Sequence, residues 1–166
     1  MSDGILPPDI VALATRAVEE NRAAGRTIAL AESCTGGLVC AAITEIPGSS
    51  SVLDRGFVTY SNEAKMERLG VSQDIIETFG AVSIACVWAM AQGALANSHA
   101  DVAVAISGVA GPGGGTANKP VGTVVFARAV RGADGEPEGE LKSFGDLGRA
   151  EIRRQATLCA LELLLP

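Results

Sequence analysis

Residues 27–44 read TIALAESCTGGLVCAAIT. Residues 27–31 are a short apolar run, the pattern of a strand buried on both faces. ESCTGG follows with two adjacent glycines, and 38–44 then reads as a helix. A buried strand, a tight turn and a helix in that order predict a layered α/β domain.

The flanks agree. Upstream, residues 10–24 form an amphipathic helix, with Ile10, Leu13, Ala14, Ala17 and Val18 at helical spacing and Gly25 closing it. Downstream, Pro47-Gly48 and three serines make a loop, and 56–60 (GFVTY) is a second strand. Two short helices follow, 62–69 ending at Gly70 and 72–79 with Ser72 as N-cap. Ser83 caps a long helix to Asn97 with an apolar stripe of Ile84, Val87, Trp88, Ala91 and Leu95. Residues 101–106 (DVAVAI) form a third strand, uninterrupted in hydrophobicity and so central. A glycine loop fills 107–122, and 123–130 is a fourth strand. After the polar turn 131–140, residues 141–144 pair back as a fifth strand. Residues 151–165 close the chain as a helix with Ile152, Ala156, Cys159 and Leu163 on one face. The expectation is one domain over residues 1–166, with its core at about 8–165. It is an α/β/α sandwich with a mixed, mostly buried sheet of about five strands.

Composition narrows the function. The 166 residues carry 13 Lys+Arg against 19 Asp+Glu, a net charge of −6. Phosphate neutralisation needs clustered cations, so this balance argues against nucleic acid as a partner. Aromatics are 4%, too few for a base-stacking platform. His99 is the one histidine, so a His-rich metal site cannot be built in one chain, and a Ser-His-Asp triad would have to use it. Cys34, Cys40, Cys86 and Cys159 form no CxxC pair and read as small buried hydrophobes. With no signal-peptide pattern in MSDGILPPD, a cytoplasmic protein with reduced thiols is expected. Residues 78–100 lack formal charge, but Ser83, Gln92, Gly93, Asn97 and Ser98 interrupt them. That stretch reads as a buried helix rather than a membrane span.

The chemistry gathers at three places. Ser33 follows the apolar strand and precedes a glycine-started helix, the placement of a nucleophile elbow, although GxSxG is absent. A helix cap explains the same serine, and Cys34 is a rival nucleophile. With histidine scarce, a lysine of lowered pKa is the alternative base. Lys65 stands in Tyr60-x-Asn62-x-x-Lys65, and if Asn62 caps that helix the positive end of its dipole disfavours a charged Lys65. A solvated surface lysine is the competing reading. The glycine loop is the third place. It fails as a P-loop because Asn118 precedes Lys119, and as a dinucleotide fingerprint because Thr116 replaces the last glycine. Either it is a flexible connection or its N–H groups face an anion. Arg149, Arg153 and Arg154 begin the last helix, where cations are unfavourable unless an anion or nearby carboxylates compensate.

Three motifs in order carry a resemblance: Ala31-Glu32-Ser33-Cys34-Thr35-Gly36-Gly37; Gly56-Phe57-Val58-Thr59-Tyr60-Ser61-Asn62-Glu63-Ala64-Lys65; and Ser107-Gly108-Val109-Ala110-Gly111-Pro112-Gly113-Gly114 with Lys119-Pro120-Val121-Gly122-Thr123. The chain resembles the C-terminal domain family of the competence/damage-inducible protein CinA over nearly its whole length. Members of that family include nicotinamide-nucleotide amidohydrolases, and larger members carry an N-terminal domain, so a stand-alone form is implied here. The resemblance implies hydrolysis of nicotinamide mononucleotide to nicotinic acid mononucleotide and ammonia, without metal or cofactor. Carried over, Ser33 is the nucleophile and Lys65 the base, with Tyr60 and Asn62 positioning the lysine or the amide. Arg149 matches the family's C-terminal arginine, with Arg153 one turn on.

The expected roles follow. N–H groups around Thr35, Gly36 and Gly37 hold the oxyanion. Protonated Lys65 donates to the departing ammonia, through Tyr60. Ser107, Gly108, Gly111 and Gly113 contact substrate, and Arg149 or the 111–115 loop takes its phosphate. The expected partner is a small-molecule nucleotide, with no membrane. The aliphatic end Leu163-Leu164-Leu165 covers either core or the surface of a homo-oligomer. A non-catalytic nucleotide-binding or assembly module on the same fold is the alternative.

Overall fold

Side-chain size alternates along the strands, and this sets the layers. All of β1 (Ile28–Glu32) is buried, but Ile28 and Leu30 point to one side and Ala29 and Ala31 to the other. The alternation continues in β3 (Val102–Gly108) and β4 (Thr123–Val130). Val104, Ile106, Val124 and Phe126 share the larger side, while Ala103, Ala105, Ala127 and Ala129 share the smaller. On the larger side lie α1 (Pro8–Ala23), α2 (Leu38–Thr44) and α6 (Arg149–Leu163). On the smaller side α5 (Ile84–Ala96) lies against the sheet, with α3 (Asn62–Leu69) and α4 (Gln73–Phe79) packed on it. Burial on both faces explains why the inner strands read as continuous apolar runs.

The computed structural model describes residues 4–166. Its five-stranded sheet has the order β2-β1-β3-β4-β5, with β2 at Leu53–Val58 and β5 at Glu138–Ser143. β1 runs parallel to both neighbours, whereas β4 and β5 are antiparallel additions. The sheet is therefore mixed, with β3 in the middle, and the architecture is the expected α/β/α sandwich. The carboxyl ends of the parallel strands point the same way, and a crevice forms outside them.

Boundaries differ where strands lie on the edge. β2 begins at Leu53 rather than Gly56 and stops at Val58, leaving Tyr60 in the connection to α3. β5 begins at Glu138 rather than 141. Both carry charged residues near their start, Asp54 and Arg55 in β2 and Glu138 and Glu140 in β5, because an edge strand is solvated and is protected by charge. At the ends, α1 starts at Pro8, an allowed first-turn position, and α6 spans Arg149–Leu163 rather than 151–165. No helix among the described residues is long and apolar enough to cross a membrane.

Candidate active site

The Ser33 turn begins where β1 stops. Ser33 N–H still donates to Ile106 O at 3.0 Å, so the serine is anchored to β3. The chain then folds back, with Gly36 N–H on Ser33 O at 3.0 Å. Gly36 and Gly37 take φ of +58° and +104°, which accounts for both glycines. Ser33 is buried, and it lines a cleft of about 200 Å³.

Lys65 arrives from α3. That helix is capped by Ser61, whose Oγ accepts Ala64 N–H at 3.0 Å, and not by Asn62 as the sequence suggested. Lys65 is 1% exposed, among the largest of the fully buried side chains, so the solvated reading fails. Its Nζ donates to Ser33 Oγ at 2.9 Å, Thr59 O at 2.7 Å and Tyr60 O at 3.1 Å. No carboxylate pairs with it among the described residues. Burial holds its pKa below the ordinary lysine value. The three acceptors also orient the neutral amine. Once deprotonated, the amine can keep two N–H bonds on the two carbonyls, which turns its lone pair toward the Ser33 hydroxyl.

The other expected residues separate into two groups. Tyr60, Asn62, Ser107, Gly108 and Arg149 line the cleft with Ser33 and Lys65. Tyr60 reaches Lys65 through its carbonyl, while its hydroxyl accepts from Arg149 at 3.1 Å. Arg149 also donates to Gly111 O at 2.6 Å. Thr35, Gly36 and Gly37 do not line the cleft. Gly37 N–H and the Thr35 hydroxyl are bound to Glu32, and Gly36 N–H to Ser33 O, so two of the three expected oxyanion N–H donors are already committed. Gly111 and Gly113 also lie outside it, and at Gly111 the loop presents a carbonyl to Arg149 rather than a nest of N–H groups. Arg153 turns behind the serine, onto Cys34 O at 3.0 Å, and Arg154 pairs with Asp9 and Glu151.

Sequence reasoning missed Ala81, Val82 and Ala110, the apolar wall of the cleft, because small residues in connecting segments carry no signal. It also missed Glu32, although a charge ending an apolar strand was a visible anomaly. Cys34 lines the cleft, but burial pushes its thiol up to about 11, which leaves little thiolate. His99 sits before β3, at the opposite end of the sheet, with its N–H on Asp54 Oδ2 at 2.9 Å, so no triad can use it. A larger hollow of about 370 Å³ lies at that same far end, between the β4–β5 turn and α5, without a nucleophile–base pair. Among the described residues no cluster of three or more His, Cys, Asp or Glu could hold a metal.

Comparison with known proteins places this geometry. The model of the CinA C-terminal domain matches residues 10–166. The chain is 49% identical over 156 residues to nicotinamide-nucleotide amidohydrolase PncC of Escherichia coli K12, covering 94% of this chain and 93% of that one. It is 52% identical over 137 residues to a CinA-like protein of Akkermansia muciniphila, covering 82% of this chain but 32% of that one. It spans only 26% to 33% of the length of several such longer curated relatives. The crystal structure of the competence/damage inducible protein CihA from Agrobacterium tumefaciens superimposes with a TM-score of 0.93 at 49% identity, covering 99% of this chain and 97% of that one. With the family model spanning nearly the whole chain and the fold matching throughout, this chain belongs to the CinA C-terminal domain family.

Proposed function

We propose that the chain hydrolyses the carboxamide of nicotinamide mononucleotide, giving nicotinic acid mononucleotide and ammonia, with Ser33 as nucleophile and Lys65 as base. The observation that carries this reading is the 2.9 Å contact between Lys65 Nζ and Ser33 Oγ, made by a buried lysine that lines a cleft. A relative matched over nearly its full length is named for this amidohydrolase activity.

The geometry supports the following course. Neutral Lys65 takes the Ser33 proton as Oγ attacks the carboxamide carbon. The carbonyl oxygen gathers charge beside Cys34, which follows Ser33 and also lines the cleft. The N–H of the residue after the nucleophile is a common oxyanion donor in strand–turn–helix sites. Lys65 returns the proton to the amide nitrogen, the C–N bond breaks and ammonia leaves. Water then attacks the acyl-serine, giving its proton to Lys65, and Ser33 departs with that proton restored. Arg149, exposed at the rim, is the cation placed to take the nucleotide phosphate.

The test is ammonia release from nicotinamide mononucleotide, wild type beside Ser33→Ala, with EDTA present. Turnover that survives EDTA and falls by roughly 10⁴ or more in the variant is expected. Near-full activity in Ser33→Ala sinks the scheme. Binding without turnover by the wild type points instead to a nucleotide-binding module.

A further inference from the structure

Glu32 continues the inward row of Ile28 and Leu30, where a hydrophobic side chain would ordinarily sit. It is fully buried, and its carboxylate faces only donors. Oε1 accepts the Thr35 hydroxyl at 2.6 Å, Val39 N–H at 3.0 Å and Gly37 N–H at 3.2 Å, and Oε2 accepts Cys40 N–H at 3.0 Å. Four donors and no donor-seeking partner is the pattern an ionised carboxylate satisfies. Its N-cap Gly37 has no side chain to cap α2, so the first-turn N–H groups would otherwise be orphaned. Glu32 caps them from the strand, next to the positive end of the helix.

The acceptor side of the same turn is held from another element. Arg153 on α6 donates to Cys34 O at 3.0 Å and to Thr35 O at 3.4 Å. The turn is thus gripped by an anion on its N–H groups and by a cation on its carbonyls. Lys65 comes from a third element, so the Ser33–Lys65 distance is only as constant as this turn.

Resting on Ser33 as the nucleophile, we infer that Glu32 is a positioning residue, which with Arg153 fixes the turn so that Ser33 Oγ and Cys34 N–H face the substrate in one arrangement. A buried, unpaired carboxylate is a poor choice for stability alone.

The experiment measures kcat and KM for nicotinamide mononucleotide at temperatures below each variant's unfolding midpoint. Glu32→Gln places an NH₂ against a backbone N–H, and a loss of about 10²-fold in kcat with little change in KM is expected. Thr35→Val removes one hydroxyl isosterically, and roughly tenfold is expected, while Thr35→Ser restores the rate. The Thr35 pair decides the matter if Glu32→Gln does not fold. Wild-type kcat in Thr35→Val, with only a lowered midpoint, overturns the inference and makes Glu32 a stability device. Ser33→Ala in the same assay separates the two readings. If it is inactive while Thr35→Val and Glu32→Gln turn over normally, the positioning role alone fails. If it is active, the nucleophile assignment fails and this inference with it.

Discussion

Lys65 concentrates the chemistry in one side chain. Burial lowers its pKa, and loss of the charge is what the proposed role as base requires. The sign of the pH effect follows. Below the lowered pKa the amine is protonated and cannot accept from Ser33; above it the amine is free. We expect kcat/KM to rise with pH along one limb whose midpoint lies below the ordinary lysine value of about 10.4. A limb that survives unchanged in Lys65→Met excludes Lys65 as the base. Lys65→Met should abolish the limb and lower kcat/KM by roughly 10⁴. Tyr60 makes a sharper distinction. Its carbonyl holds Lys65 while its hydroxyl holds Arg149, so Tyr60→Phe keeps the first contact and loses the second. We expect kcat within about threefold of wild type and a raised KM; a loss of 10² or more in kcat would make the hydroxyl a proton carrier.

Among the elements, α5 is the one whose position depends most on a single absent atom. It lies on the alanine side of the sheet and packs against α3. Gly93 faces the end of α3 so closely that a Cβ there would stand 2.0 Å from Leu69 O. In an ordinary helix interior Gly→Ala is worth about 1 kcal/mol in favour of alanine. Here the contact reverses the sign. Gly93→Ala should destabilise by at least about 2 kcal/mol, read as a lowered denaturant midpoint. Because α3 carries Lys65, activity should fall at temperatures where the variant remains folded. A stabilised Gly93→Ala would mean that the α3–α5 approach is looser than described.

Taken together, the layers protect the thiols. Cys34 and Cys86 are buried and Cys40 and Cys159 half-buried, all four are free, and burial raises each thiol above its ordinary value. We expect slow alkylation by iodoacetamide in the native state and reaction of all four in denaturant. Fast native labelling of Cys34 with loss of activity would revive the cysteine reading. Much of the architecture was legible because its signals are local. Apolar runs such as 27–31 and 101–106 mark strands covered on both faces, and Gly36-Gly37 marks a turn that needs positive φ. Ser33 was legible for the same reason, since strand, turn and helix are contiguous around it. Edge strands were misjudged at their ends because solvent, not packing, chooses their residues. The Lys65 environment could not be read at all: two of its three partners are backbone carbonyls, which every residue carries. Thr35–Gly37 were assigned to the substrate because free N–H groups at a helix start are the default. Whether they are free depends on what the neighbouring segments point at them: Glu32 takes Gly37 N–H and Ser33 O takes Gly36 N–H. Chain-local patterning, which burial imposes residue by residue, thus determined the fold class and the turn that carries Ser33. The burial of Lys65, the partners of the turn's N–H groups and the place of Arg149 beside the cleft came from contacts between α3, α6 and the strand ends, because such contacts exist only once distant segments are packed.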